Sequence, residues 1–334
     1  MLFDFTKATP ADNAVLKAAG SDNPAIAGPA GDMIAKALET PLRKALFSGD
    51  IITDIFQAMD FTDGKPTEFP IDPIAPGTQK DYVAYTIPNQ GYLPQKHMEG
   101  DYVMVPSYEV GHAVDWLLKY AKYARWDVAG RAMQALRAGF VKKLNDDGWH
   151  TLLAAAYDRG VVAFDSDAGS GQFTKRLISL MKTLMSRGAG GNAATPNRGV
   201  LTDLYISPES LEDMRNWGVD IIDEFTRREL FMAADGTMMR LFGVNLHRLD
   251  ETGESQEYQN FYVNQLGGSL QTNDLELVVG LDKTNNDSFV LPKISELEIF
   301  NDFLLHRQRR QGLYGWMSQG FAVLDNRRVI LGSL

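Results

Sequence analysis

Tyr82–Tyr108, YVAYTIPNQGYLPQKHMEGDYVMVPSY, decides how the rest of the chain is read. Pro88, Asn89, Gly91 and Pro94 stop one apolar run and Glu99-Gly100-Asp101 precedes another, so the pattern predicts two strands joined by a long polar turn. Alternation puts Val83, Tyr85 and Ile87 on one face of the first run and Tyr82, Ala84 and Thr86 on the other. The second run sets Val103 and Val105 opposite Tyr102, Met104 and Tyr108. Both faces therefore carry apolar or aromatic groups. An isolated hairpin is marginal in water, and Pro88 and Pro106 bar its ends from a sheet interior, so this ribbon needs a surface supplied from elsewhere.

Composition bounds the rest. With 334 residues, 44% of them hydrophobic, the chain has material for a sizeable core in two lobes or one large domain. The absence of cysteine removes disulfides, thiolate nucleophiles and cysteine-ligated metals together. The start, with acidic Asp4 and no cationic stretch before an apolar one, does not read as a secretory signal, so folding in a cytoplasm is expected. No apolar run approaches the ~18–20 residues of a membrane helix, so no membrane partner is expected. A net charge of -10 argues against general nucleic-acid binding, which rests on cations against phosphates, although RQRR at Arg307–Arg310 is a local basic patch.

Residues 1 to about 35, rich in Ala, Gly, Asp, Asn and Pro, read as an arm with weak helical patterning. Thr40 and Pro41 then predict the cap and first position of a helix, with Gly49 weakening its middle. Val114–Tyr157 carries the strongest periodicity and predicts two abutting helices with Asp127 as a cap between them. The second of these buries a stripe of Ala129, Met133, Leu136, Phe140 and Leu144 and turns Arg131, Arg137, Lys142 and Lys143 away. Gly148 near its end marks a bend or a close approach by a neighbour. Further on, VVAF predicts a strand and FTKRLISLMKTLMSRG a helix closed by Gly188. In LTDLYISPESLEDMRNWG, Leu204–Ile206 form a strand, Ser207 caps a helix and Pro208 opens it. Two strand regions, DGTMMRLFGVNLHRLDE and LELVVGLDK, precede a C-terminal set of strands and turns. The class is α+β, with no repeat and no regular βαβ rhythm.

No catalytic constellation stands out. Gly169 and Gly171 open a phosphate-loop lookalike, but Thr174 replaces the third small residue and Lys175 completes no Walker loop, so an ordinary loop and helix start is the stronger reading. His97, His112, His150, His247 and His306 stand apart, match no metal pattern and read as surface or interface residues. Asp146-Asp147 and Glu296/Glu298 read as readily as solvated faces as acid–base pairs. The sequence therefore assigns no catalytic residue, metal or cofactor and does not read as an enzyme. On an alternating strand Arg307 and Arg309 would point one way and Gln308 and Arg310 the other, which fits paired charges in a subunit contact.

Taken in order, arm, helix, protruding hairpin, long helix, mixed domain and terminal strands, the chain resembles the major capsid proteins of tailed bacteriophages, the Hong Kong 97 type shell fold. The hairpin at 82–108 is similar to that family's extended loop, 127–157 to its spine helix, VLTDLYISPESLEDMRNW to a strand, Ser-Pro turn and helix of its axial domain, and LLHRQRRQGLYGWMSQGFAVLDNRRVI to its closing strands. The resemblance spans roughly Thr40–Ile330. It implies an N-terminal arm and helix at 1–60, an extended hairpin loop at 61–111, a spine helix of the peripheral domain at 112–160, an axial domain with its connections at 161–295 and closing peripheral strands at 296–334. It also implies self-assembly as hexamers and pentamers around double-stranded DNA without sequence-specific binding. Portal and scaffolding proteins are implied partners, with decoration proteins a further class, and the virion as location after assembly in a bacterial cytoplasm. With only a short leader before the first helix, the scaffold is expected to be a separate protein. An acidic wall suits such a container, because strong phosphate binding would hinder packaging and ejection.

The implied sites are inter-subunit contacts: Tyr85, Ile87, Tyr92, Met104 and Tyr108 of the hairpin, and Arg307, Arg309, Arg310 and Trp316 of the closing strands, since aromatic and Arg groups anchor interfaces. For Trp316 and some of the tyrosines the subunit's own core is the competing reading. Some family members cross-link a loop lysine to a neighbour's asparagine; Lys96 and Asn326 would be the pair here, but no glutamate is evident and non-covalent assembly is expected. The alternatives are an encapsulin-type nanocompartment shell, a minor shell or decoration protein, and an α+β enzyme using Gly169–Lys175.

Overall fold

The computed structural model describes residues 9–47, 51–62, 66–71, 101–123, 125–169, 171–188, 199–218, 239–270, 276–284 and 286–334. In chain order it contains α1 (Pro10–Ala19), α2 (Pro24–Phe47), α3 (Ile51–Ile55), β1 (Gln57–Asp60), β2 (Glu68–Ile71), β3 (Asp101–Met104), β4 (Tyr108–Leu117), α4 (Leu118–Lys122) and α5 (Trp126–Arg159). There follow β5 (Val162–Phe164), α6 (Lys175–Gly188), β6 (Asp203–Ile206), α7 (Pro208–Asn216), β7 (Met239–Leu241), β8 (Val244–Arg248), β9 (Leu277–Leu281), β10 (Phe289–Asn301), β11 (Arg310–Gln319), β12 (Ala322–Val323) and β13 (Val329–Ser333). They fall into two compact units, the first drawn from 1–67, 104–148 and 290–322, the second from 68–103, 149–289 and 323–334.

The first unit is built on a sheet in the order β1-β10-β11-β4, with β1 parallel to β10 and the other pairs antiparallel. β4 and β11 stay in register over ten residues, from Tyr108 opposite Gln319 to Leu117 opposite Arg310. One face of this sheet packs on α5: a Cβ on Gly139 would lie 2.6 Å from the His112 ring, and His112 meets Phe140 edge-on. The expected α5 stripe of Ala129, Met133, Leu136, Phe140 and Leu144 is buried, each large member contributing about 1.5–3 kcal/mol. Gly148 is a point of close approach, where a Cβ would come within 2.8 Å of the Ile52 side chain of α3.

The second unit has a mixed sheet ordered β5-β13-β9-β6-β8-β7. Its three central strands are buried at every position, because helices cover both faces. α6 and α7 bring Leu177, Ile178, Met181, Leu211 and Met214 to one side, and Trp149 packs edge-on against Tyr205 on the other. Gly280 is obligatory here, since a Cβ would come within 3 Å of Leu201, Ile330 and Met181 at once. β7 and β8 turn through Phe242 and Gly243, both at positive φ, as a two-residue hairpin matching strand twist requires.

Ser207 caps α7 with Pro208 at its first position, and α6 ends at Gly188, both as the sequence predicts. Elsewhere the structure corrects the reading. The leader is helical: Thr9 and Asp12 form a reciprocal capping box at α1, and α2 runs through Thr40 and Pro41 instead of starting there. An internal proline costs about 3 kcal/mol. Burial of Ala27, Ala30, Ile34 and Leu38, spaced three and four apart, opposes that cost.

Val114–Leu117 is strand, held by β11, so the predicted spine segment 112–160 opens with part of β4 and only α5 is the long helix. Asp127 lies in the first turn of α5 and does not precede it as a cap. RQRR is not an alternating strand. Phe303–Gln308 is a 3-10 turn, Arg309 sits in the left-handed region at φ 57°, and Arg310 begins β11.

Candidate subunit interface

The first ribbon strand expected at Tyr82–Ile87 lies outside the described residues, as do Tyr85, Ile87, Tyr92 and Lys96. The second run is not one strand: Asp101–Met104 forms β3, Tyr108 already belongs to β4, and the described partner of β3 is β2 at Glu68–Ile71, which the sequence reading does not make part of the ribbon. β3 pairs with β2 in a two-stranded sheet, and Tyr102, Val103 and Met104 are all exposed, Met104 at 64%. Just outside it, Thr67 and Val105 exchange hydrogen bonds through the Val105 amide, at 3.0 Å, and the Thr67 hydroxyl. Three consecutive exposed apolar residues on a two-stranded ribbon have no core of their own to fill.

Tyr108 belongs to β4. Its hydroxyl donates to Asp147 Oδ2 at 2.8 Å, and Lys143 donates to the other oxygen of that carboxylate. Burial, then the Asp147 carboxylate, push the Tyr108 phenol well above its ordinary range.

Trp316 lies on the sheet face opposite α5, because its neighbour Gly315 pairs with His112, which faces the helix. It is 46% exposed, so it does not fill the subunit's own core. It packs with Phe300 and Tyr314, the three ring centroids 5.0–5.6 Å apart. Sequence reasoning missed these partners, although Tyr314 and Trp316 at i and i+2 already place two rings on one strand face. Exposed Glu296 and Glu298 continue this face along β10.

Arg307, Arg309 and Arg310 are exposed around the turn into β11; Arg310 pairs with Asp115 at 3.0 Å. Also missed are exposed Leu304 on the same turn, Tyr123 between α4 and α5, and Ile26 and Met33 seven apart on α2. Asn326 donates its amide to Asp158 of its own chain at 2.9 Å.

The four described histidines are engaged within the chain. His112 packs on Phe140, His150 stacks on Phe261 at 3.8 Å, His247 meets Asp203 at 2.8 Å and His306 meets the Ser21 carbonyl at 3.1 Å. The Gly169–Lys175 loop is organised around its own carboxylates. Thr174 caps the Leu177 amide and donates to Asp165, the Phe173 amide donates to Asp213, and Arg176 pairs with Asp165 and Asp167. A phosphate there would face three carboxylates, with the Phe173 and Leu177 amides already used. Ser207 and Ser210 both donate to buried Glu276, whose carboxyl is raised by burial and lowered less by those hydroxyls. Among the described residues no group of three or more His, Asp or Glu side chains is placed to hold a metal, and no helix is long and apolar enough to cross a membrane.

No protein-family profile matches the chain, and no curated protein sequence matches it. Solved structures do. A structure from Microbacterium phage Oxtober96 superposes with a TM-score of 0.60 at 10% identity, covering 86% of this chain and 91% of that one. The capsid structure of cyanophage P-SCSP1u gives 0.57 at 14% identity, covering 85% and 88%. The capsid asymmetric unit of cyanophage Pam1 gives 0.55 at 13%, covering 83% and 87%. The chain thus has the fold of phage capsid structures, in agreement with the α+β Hong Kong 97 type architecture expected from its sequence.

Proposed function

We propose that the chain is the major capsid protein of a tailed double-stranded DNA bacteriophage, assembling through hexamers and pentamers into an icosahedral shell. The observation that carries this reading is the likeness of fold to phage capsid structures over more than four-fifths of both chains. The apolar ribbon β2–β3 and the open Phe300–Tyr314–Trp316 face support it physically, since each exposes apolar surface that a neighbouring copy would bury. In this reading the loop predicted at 61–111 ends before β4, α5 is the spine of a peripheral domain, and the axial domain predicted at 161–295 ends before β10. Of the strands predicted to close the peripheral domain at 296–334, β11 does so and β13 instead joins the second unit's sheet. Met104, Arg307, Arg309, Arg310 and Trp316 lie in contacts between copies, with Tyr85, Ile87 and Tyr92 completing the loop's share. Tyr108 contributes mainly within its own subunit. Asn326 is already bonded to Asp158, which favours non-covalent assembly over a Lys96 link.

The net charge of -10 suits a wall that encloses DNA without gripping it. Portal and scaffolding proteins, and decoration proteins where present, are the further partners, and assembly takes place in the bacterial cytoplasm. The test is expression of the full chain with light scattering and negative-stain imaging. Closed shells of megadalton mass are expected, and a chain that stays monomeric with its phage scaffold present would overturn the proposal.

A further inference from the structure

The first unit contains a cavity of about 220 Å³ beside the arginines of the turn into β11. Ala19 at the end of α1 and Pro24, Ala27 and Gly28 at the start of α2 line one part of it. Asn301, Asp302, His306, Arg307, Arg310 and Gln311 line the rest. The space is that of about seven waters, enough for a large side chain with part of its main chain.

Its polar groups are unevenly engaged. Asp302 accepts the Leu304 amide at 3.0 Å, His306 meets the Ser21 carbonyl, and Arg310 pairs with Asp115. Arg307 has no carboxylate partner among the described residues, and Oε1 of Gln311, a residue only 6% exposed, receives no hydrogen bond among them. A buried carbonyl oxygen left without a donor costs about 1–3 kcal/mol. The cavity thus lacks two things, a negative charge beside Arg307 and an N–H for Gln311. A chloride or sulfate ion brings only the first. A peptide segment bearing Asp or Glu brings both, and the small residues Ala19, Ala27 and Gly28 leave room for its main chain.

We infer that this cavity receives an acidic peptide segment from a neighbouring copy of the chain, with Arg307 as its charge partner. This rests on the shell reading. Copies of a chain with 43 acidic and 33 basic residues present acidic segments to one another, and the exposed Leu304 on the same turn adds apolar contact.

The test uses assembled particles of an Arg307→Lys variant, grown from mixed 14N- and 15N-labelled subunits. A carbodiimide couples the introduced amine to a contacting carboxylate as an amide and carries away the oxygen as a urea. Mass spectrometry is expected to find a mixed-isotope link between position 307 and an Asp or Glu of another copy. Adding Ala27→Phe, which fills the cavity, should lower that link about tenfold, the equivalent of 1.4 kcal/mol. Particles that form without an inter-copy link at 307, or whose link is unchanged by Ala27→Phe, overturn this inference alone. Failure of the unmodified chain to form particles overturns the shell reading and this inference with it.

Discussion

The Tyr108 hydroxyl donates to Asp147 across 2.8 Å, tying β4 to α5 within one unit. Because the folded state raises the phenol's pKa, this group's stabilisation is full below the ordinary value of 10.0 and is lost as pH climbs beyond it. Tyr108→Phe should cost about 1 kcal/mol at neutral pH and reduce the alkaline loss of stability, measured by urea unfolding between pH 8 and 11. Particle yield should be unchanged, which separates this tyrosine from the interface set.

Trp316→Ala should behave oppositely. The ring is about half exposed, so the unassembled subunit should lose less than ~1 kcal/mol, whereas a buried aromatic anchor between copies is worth about 2 kcal/mol or more. The check is subunit melting beside particle yield by sedimentation; equal yields would remove Trp316 from the proposed contacts.

Met104→Asp and Tyr85→Asp should each leave the subunit's circular dichroism intact and abolish shells. A carboxylate placed in an apolar contact meets a desolvation cost of several kcal/mol. Normal particles from both variants would refute the role given to the ribbon.

Arg328 and Asp282, 4% and 0% exposed, form an ion pair in the second unit, where Asp282 also accepts the Val200 and Thr284 amides. Removing the cation alone strands a buried charge, so Arg328→Met should destabilise by about 3–5 kcal/mol in denaturant titration.

Glu276 supplies a second pH test. Its folded pKa is raised, chiefly by burial, so its contribution to stability is greatest below the ordinary 4.5 and is lost as pH rises through the folded value. Glu276→Gln keeps an acceptor for Ser207 and Ser210 without the charge. It should unfold at higher urea than the unmodified chain at pH 8, and the advantage should vanish at pH 4.

Much of the second unit was legible because local chemistry and tertiary context agree there. Ser207-Pro208 caps α7 by itself, and Leu177, Ile178, Met181 and Met185 have helical spacing that the sheet then buries. The same holds for the α5 stripe. The N-terminal helices were not legible, since Gly28, Pro29 and Gly31 speak against a helix and Pro41 reads as a helix start, not an interior position. Packing outweighs those local preferences: Gly31 is needed where the Asn301 side chain stands within 3 Å of any Cβ. β4 misled for a related reason. Val110, His112, Val114 and Trp116 alternate at period two, but the adjoining helical signal masked a pattern that only pairing with β11 fixes.

By itself the sequence determined the α+β class, the buried stripe of α5, the Ser207-Pro208 start of α7 and the absence of cysteine chemistry. These follow from residue type and spacing, which act locally. Tertiary structure alone decided that Trp316 faces outward with Phe300 and Tyr314, that Tyr108 and Asn326 are bonded within their own chain, and that Arg307 stands beside a cavity. Such outcomes depend on strand register and on which residues distant in sequence meet, and no local spacing encodes either.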